Sequence, residues 1–200
     1  MGARSEHACC AAVAALGVAF VSAPLGFDPA VNHTSARASK KSGAAAGASA
    51  PLLATLAQTH TEERVMLDDQ APSAARFDAL LSDRVTGSKH ELDAKLLFLL
   101  RSIARKHPAA RIELVSGYRS PKLNEMLRKK GHNVASHSQH SLGHAVDFRV
   151  VPAGENDAVD PRVLEKEIRD LGWAGGVGVY TLKEDWFVHA DVGANRRWDG

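Results

Sequence analysis

The sequence predicts an α+β fold: a single compact domain over residues 76–200, with a central antiparallel sheet flanked by helices and the functional site on the sheet. Three observations lead there. Amphipathic helical stretches and short alternating stretches interleave without the regular strand–helix repeat of a parallel sheet. Every Trp and Tyr, and most of the Phe, lie beyond Arg76, so the core is built from that part of the chain. Proline and glycine punctuate it where helices should begin and end.

Leu92, Leu96, Leu99, Leu100 and Ile103 share one face of a helix over 92–106, which Pro108 stops. Residues 112–116 alternate like a half-buried strand, and Gly117-Tyr118-Arg119-Ser120-Pro121 turns out of it. Ser120 caps a second helix over 121–130, with Pro121 at its first position and Gly131 at its end. Residues 145–151 form a strand, and 161–171 a third helix between Asp160-Pro161 and Gly172. Residues 176–180 and 186–191 make a closing hairpin.

Ahead of the domain, residues 8–23 form an apolar run ending in Val21-Ser22-Ala23, with Arg4 before it. This fits an export signal or a signal anchor over 1–23, although the run falls short of the ~20 residues of a spanning helix. Residues 24–75 read as a flexible linker rich in Ala, Ser and Gly, too poor in apolar side chains to offset the entropy of ordering. The two cysteines, Cys9 and Cys10, both sit in the apolar run, so the domain has no disulfide framework and any metal is held through nitrogen and oxygen. A net charge of +2 with no aromatic-interleaved basic stripe argues against nucleic acid. The expected location is the periplasm or cell envelope, the expected state a monomer, and the only expected membrane contact is the N-terminal anchor.

The run Ser138-Gln139-His140-Ser141-Leu142-Gly143-His144-Ala145-Val146-Asp147 sets a histidine and a carboxylate seven positions apart around a glycine, and His189 follows on the last long strand. Two imidazoles and one carboxylate make a three-ligand zinc site, which leaves a fourth position for a water whose pKa the metal lowers from 15.7 to roughly 7. Gly143 allows the tight turn between the first two ligands. On the strand that follows, Asp147 and Arg149 share one face, while Val146, Phe148 and Val150 share the other.

Ser138-x-His140-x-x-Gly143-x-Ala145-x-Asp147 resembles the first metal motif of the zinc D-Ala-D-Ala carboxypeptidase and dipeptidase superfamily, which includes VanX- and VanY-like enzymes. The segments 115–121, 175–180 and 187–193 resemble, in order, its YcbK-type murein endopeptidase branch. The resemblance implies a peptidase carrying one Zn2+ on His140, Asp147 and His189, acting on peptidoglycan peptides as a murein endopeptidase or D,D-carboxypeptidase. Arg119 matches an arginine that faces the substrate carbonyl or its oxyanion; a salt bridge that pins the loop is the other reading.

The acid that many carboxypeptidase relatives carry three residues before the last zinc histidine is Trp186 here. Asp191 is therefore the first choice as general base or as the partner that orients a ligand, with Asp185 and Glu184 as alternatives. Tyr118, Ser138 and His137 are the expected substrate contacts, although Tyr118 could equally pack and His137 could stay exposed. His144 belongs at the rim of the site, and Trp173, Trp186 and Trp198 to the core or a groove wall. The competing function is a zinc-stabilised cell-wall binding module without catalysis, motivated by Trp186.

Overall fold

A computed structural model describes residues 51–130 and 138–200. The apolar run 8–23, the first part of the expected linker and His137 lie outside these residues. Among the described residues, no helix is long and apolar enough to cross a membrane.

Seven strands form one sheet in the spatial order β2-β1-β3-β4-β6-β5-β7. They are β1 (Ala54–Gln58), β2 (Arg64–Leu67), β3 (Ala110–Ser116), β4 (Ala145–Val151), β5 (Val177–Thr181), β6 (Trp186–Asp191) and β7 (Arg197–Asp199). Pairing is antiparallel except for β1 with β3 and β5 with β7. The α+β class and the mostly antiparallel sheet agree with the expectation, as does the β5–β6 hairpin, whose strands meet at Thr181 and Trp186.

The helices are α1 (Ala74–Leu80), α2 (Ala94–Lys106), α3 (Pro121–Lys129) and α4 (Pro161–Asp170). Each begins on a side-chain cap. Ser73, Asp93, Ser120 and Asp160 accept from the backbone N–H of Arg76, Lys95, Leu123 and Arg162, satisfying donors that a helix leaves orphaned at its start. In α2, Leu96, Leu97, Leu99, Leu100 and Ile103 are buried, and in α4 Leu164 and Ile168. These faces join Ile112, Leu114, Val146, Phe148, Val150, Val188 and Ala190 from the sheet in one core. The opposite sheet face carries Asp147 and His189, so strand alternation alone separates core from site.

One expectation is corrected. Residues 54–67, assigned to the flexible linker over 24–75, form β1 and β2, and α1 begins at Ala74. The ordered domain therefore starts some twenty residues before Arg76. Ala54, Leu56 and Leu67 are completely buried, and β1 lies parallel to β3, which is far off in sequence. A short segment rich in alanine and threonine carries little local strand signal; the partner strand supplies the pairing that orders it.

Candidate metal centre

His140 sits in a short 3-10 helix, Gln139–Leu142. Ser138 caps this turn, accepting from the His140 backbone N–H at 3.3 Å, and Gly143 ends it at φ +71°, a left-handed conformation that favours glycine. A side chain at Gly143 would also run into the Glu91 carbonyl, and the Gly143 carbonyl accepts from Asp93 N–H at 2.9 Å. The motif glycine thus turns the chain and docks it against the start of α2. Asp147 and His189 are directly paired across β4 and β6.

His140, Asp147 and His189 are all buried, and among the described residues they form the group of side chains that could hold a metal ion. His140 Nε2 lies 3.1 Å from Asp147 Oδ1 and 3.1 Å from His189 Nδ1, while His189 Nδ1 lies 2.8 Å from Asp147 Oδ1.

The outer contacts fix the tautomers. His140 Nδ1 is 2.7 Å from the Gly117 carbonyl, which can only accept, so that nitrogen carries the proton. His189 Nε2 is 3.1 Å from Asp191 Oδ2 and donates to it. In the neutral rings, the lone pairs of His140 Nε2 and His189 Nδ1 then point, with Asp147 Oδ1, at one another. Three converging electron-pair donors repel unless a metal ion, or a proton on His189 Nδ1 shared with Asp147, lies between them. Zinc bonds of ~2.0–2.2 Å in a tetrahedron would set ligand atoms about 3.3–3.6 Å apart, so the cluster, at 2.8–3.1 Å, would open by about 0.2–0.8 Å to take the ion. The donor set fits zinc.

Electrostatics follow the same geometry. Burial, assisted by the Arg119 guanidinium, pushes His140 down to about 4, so the ring is neutral near pH 7. Burial opposes ionisation of Asp147, but His140 and Arg119 hold it well below the usual carboxylate range. Burial also works against a charged His189, yet its hydrogen bonds to Asp147 and Asp191 raise its pKa.

Arg119 donates through Nη2 to Asp147 Oδ2 and through Nε to Ser116 Oγ at 2.9 Å. It therefore grips the carboxylate oxygen that faces away from the histidines. This is the pinning salt bridge, with Nη1 left without a partner among the described residues.

Asp191 is fully buried and both its oxygens are engaged. Oδ1 accepts from Gly193 N–H at 2.8 Å and Gly176 N–H at 3.2 Å; Oδ2 accepts from His189 Nε2 and from Arg196 Nη2 at 2.9 Å. Burial opposes its charge, but these donors hold its pKa far below normal. The backbone is shaped around it: a Cβ on Gly176 would come within 2.5 Å of Asp191 Oδ2, and one on Gly175 would strike the Asp191 carbonyl. Of the two readings for Asp191, this geometry belongs to the partner that orients His189, and it leaves no free lone pair for a base.

The remaining expected residues fall as follows. Asp185 and Glu184 are exposed in the β5–β6 turn; Asp185 precedes the strand rather than sharing its face with His189. Trp186 lies an odd number of residues from His189 and so on the other face of β6. Tyr118 stacks on His90 at 4.6 Å and packs against the core, and Ser138 serves as a cap rather than standing open to a ligand. His144 is partly buried outside the cluster, its carbonyl accepting from Val192 N–H.

Trp198, expected in the core or a groove wall, lies beside His189, and sequence reasoning missed the two aromatics that join it, Tyr180 and Phe187. Trp198 packs 5.2 Å from the His189 ring and covers Gly178, where any side chain would strike the indole. Its Nε1 donates to Tyr180 Oη at 3.3 Å, and Tyr180 stacks on Phe187 at 4.5 Å. Strand parity would have placed Tyr180 and Phe187 on the His189 face, but only the β5–β6 register reveals it.

The profile of the Peptidase_M15_2 family, described as peptidoglycan L,D-endopeptidase MepK, matches residues 52–198. A Haemophilus influenzae protein named probable peptidoglycan L,D-endopeptidase MepK is 32% identical over 127 residues, covering 62% of this chain and 63% of that protein. The Escherichia coli K12 protein named peptidoglycan L,D-endopeptidase MepK is 36% identical over 87 residues, covering 44% of this chain and 43% of its own. The chain thus spans less than two thirds of the length of these curated relatives. A crystal structure of the Serratia marcescens L-Ala D-Glu endopeptidase ChiX aligns with a TM-score of 0.33 and 23% identity, over 50% of this chain and 79% of that one.

Proposed function

The chain belongs to the Peptidase_M15_2 family, and on that premise we propose that it is a zinc-dependent peptidase that hydrolyses peptide bonds in peptidoglycan. The observation that carries the reading is the convergence of His140 Nε2, His189 Nδ1 and Asp147 Oδ1 with their tautomers fixed from behind. The names of the relatives favour an endopeptidase over a D,D-carboxypeptidase.

His140, Asp147 and His189 would hold one zinc ion, which supplies Lewis acidity toward the scissile carbonyl and an acidified water. Gly117 and Asp191 orient the two imidazoles, and Arg119 orients the carboxylate, so the ligands already face one another and need only spread slightly to bind. Arg119 Nη1 remains to stabilise negative charge on the substrate carbonyl, a contribution of about 2.7–4 kcal/mol for one well-aimed donor.

With Asp191 committed to His189, the proton of the attacking water falls to Asp185. Its carboxylate is exposed, has no partner among the described residues, and stands directly before the strand that carries His189. In this reading residues 1–23 are an export signal or anchor, which would deliver the domain to the cell envelope.

The test is release of soluble muropeptides from purified sacculi by zinc-loaded protein, measured separately from sacculus binding. Release that disappears on chelation and returns with zinc supports the reading. Binding without release, at full zinc loading, would instead make the domain the non-catalytic module that Trp186 suggests.

A further inference from the structure

Two rows of charged side chains continue the site face of the sheet away from the metal centre. Glu113 pairs with Arg149 across β3 and β4, one step beyond the Ser116–Asp147 pair, and Arg111 lies two residues farther along β3. Residues two apart on a strand share a face and stand about 6.6–6.8 Å apart, so Arg149 is the next side chain after Asp147 on the site side.

Glu113 accepts from Arg111 Nε at 2.8 Å through one oxygen and from Arg149 Nε through the other. A guanidinium placed only to neutralise a carboxylate generally meets it with a two-toothed fork. Here one carboxylate, 15% exposed, braces two guanidiniums by their inner nitrogens. Among the described residues the outer nitrogens of both arginines have no partner, and both side chains are more than a third exposed. The trio carries a net charge of +1. Burial opposes ionisation of Glu113, but the two arginines hold its pKa below normal, so the brace persists at neutral pH. Phe187 and Tyr180 lie one step in the same direction from His189 and Gly178, giving this row an apolar side as well.

We propose that Arg149, braced with Arg111 by Glu113, is a carboxylate receptor that anchors an acidic group of a peptide substrate one strand step from the metal centre. Resting on the peptidase reading above, the inference makes the substrate an anionic peptide whose carboxylate lies about two extended residues from the scissile bond. Peptides without that carboxylate would bind poorly, whatever their sequence at the cleavage point.

The test uses the zinc-loaded full chain and synthetic peptidoglycan stem peptides in which each carboxylate is amidated in turn. For the wild type, amidation of one particular carboxylate should raise KM about ten- to hundredfold with little change in kcat, the scale of lost charge-assisted hydrogen bonds. Arg149→Gln should raise KM for the free acid to the same degree and abolish the sensitivity to amidation. Arg111→Gln should weaken that sensitivity, and Arg149→Lys should restore it only in part, because a compact ammonium lacks the planar fork that offers one edge to Glu113 and the other to a second carboxylate. The proposal is overturned if no amidation affects the wild type, or if Arg149→Gln remains as sensitive as the wild type. If the wild type cleaves none of the peptides, the peptidase reading fails by itself. Calorimetric titration of the same acid and amide pairs into both proteins then decides the receptor: a preference for the acid that Arg149→Gln removes sustains it, and equal binding overturns it.

Discussion

Asp191 and His189, two residues apart on β6, meet side chain to side chain, with Asp191 Oδ2 3.1 Å from the ring nitrogen that faces away from Asp147. On the zinc reading the carboxylate would act on the metal through the imidazole. We expect Asp191→Asn to weaken zinc affinity about 10- to 100-fold, measured by competition with a chromophoric chelator. Excess zinc should restore most of the turnover, and the pH profile at saturating zinc should keep its shape. A loss of turnover that zinc does not relieve would return Asp191 to the role of base.

His140→Ala removes a proposed ligand that is 2% exposed and held by the Gly117 carbonyl. The variant should retain no stoichiometric zinc by elemental analysis and release no muropeptides. Exhaustive chelation of the wild type should give the same result. Undiminished release from metal-free wild type would exclude zinc catalysis.

Asp185→Asn should lower kcat about 10²- to 10⁴-fold, the usual contribution of a positioned general base, while zinc content stays stoichiometric. Glu184→Gln, the neighbouring change on the same exposed turn, serves as the control and should be nearly silent. If the two variants behave alike, proton transfer belongs to another group.

Acid should loosen the loop that carries the site. Asp83, 1% exposed, accepts from the N–H groups of Val85, Thr86 and Ser120, so it ties the loop after α1 to the cap of α3. Burial opposes its ionisation, yet these hydrogen bonds bring its pKa down to about 2. A carboxylate depressed in the folded state stabilises above its unfolded pKa of about 3.9, and that contribution, about 2 kcal/mol, is lost as pH falls toward 2. Asp83→Asn should show the loss already at pH 7, as a lower urea midpoint, and should flatten the acid limb of the stability curve.

The clustering of His140, Asp147 and His189 was legible because each rests on a local pattern: a glycine turn between His140 and Asp147, and strand alternation around His189. The helices α2, α3 and α4 were legible because proline, glycine and an apolar stripe mark them. β1 escaped notice because Ala54-Thr55-Leu56-Ala57-Gln58 becomes a strand only beside β3, and α1 is too short to show a helical period. The role of Asp191 was half legible. Parity put it on the His189 face, but only the closeness of Gly175 and Gly176 shows that it is enclosed. Tyr118 and Ser138 look like substrate contacts in sequence because caps and packing residues use the same polar and aromatic side chains as binding sites do.

The strand order has a temporal consequence. Beside β4 sits β6, so Asp147 must wait for His189, and His189 in turn for the wall that Trp198 builds across Gly178. During synthesis from the N-terminus, a ribosome-bound chain that has just completed β4 holds only His140 and Asp147, too few ligands for a closed three-point site. On the zinc reading, His140, Asp147 and His189 can converge only once β6 has emerged, when little of the domain is still to be made.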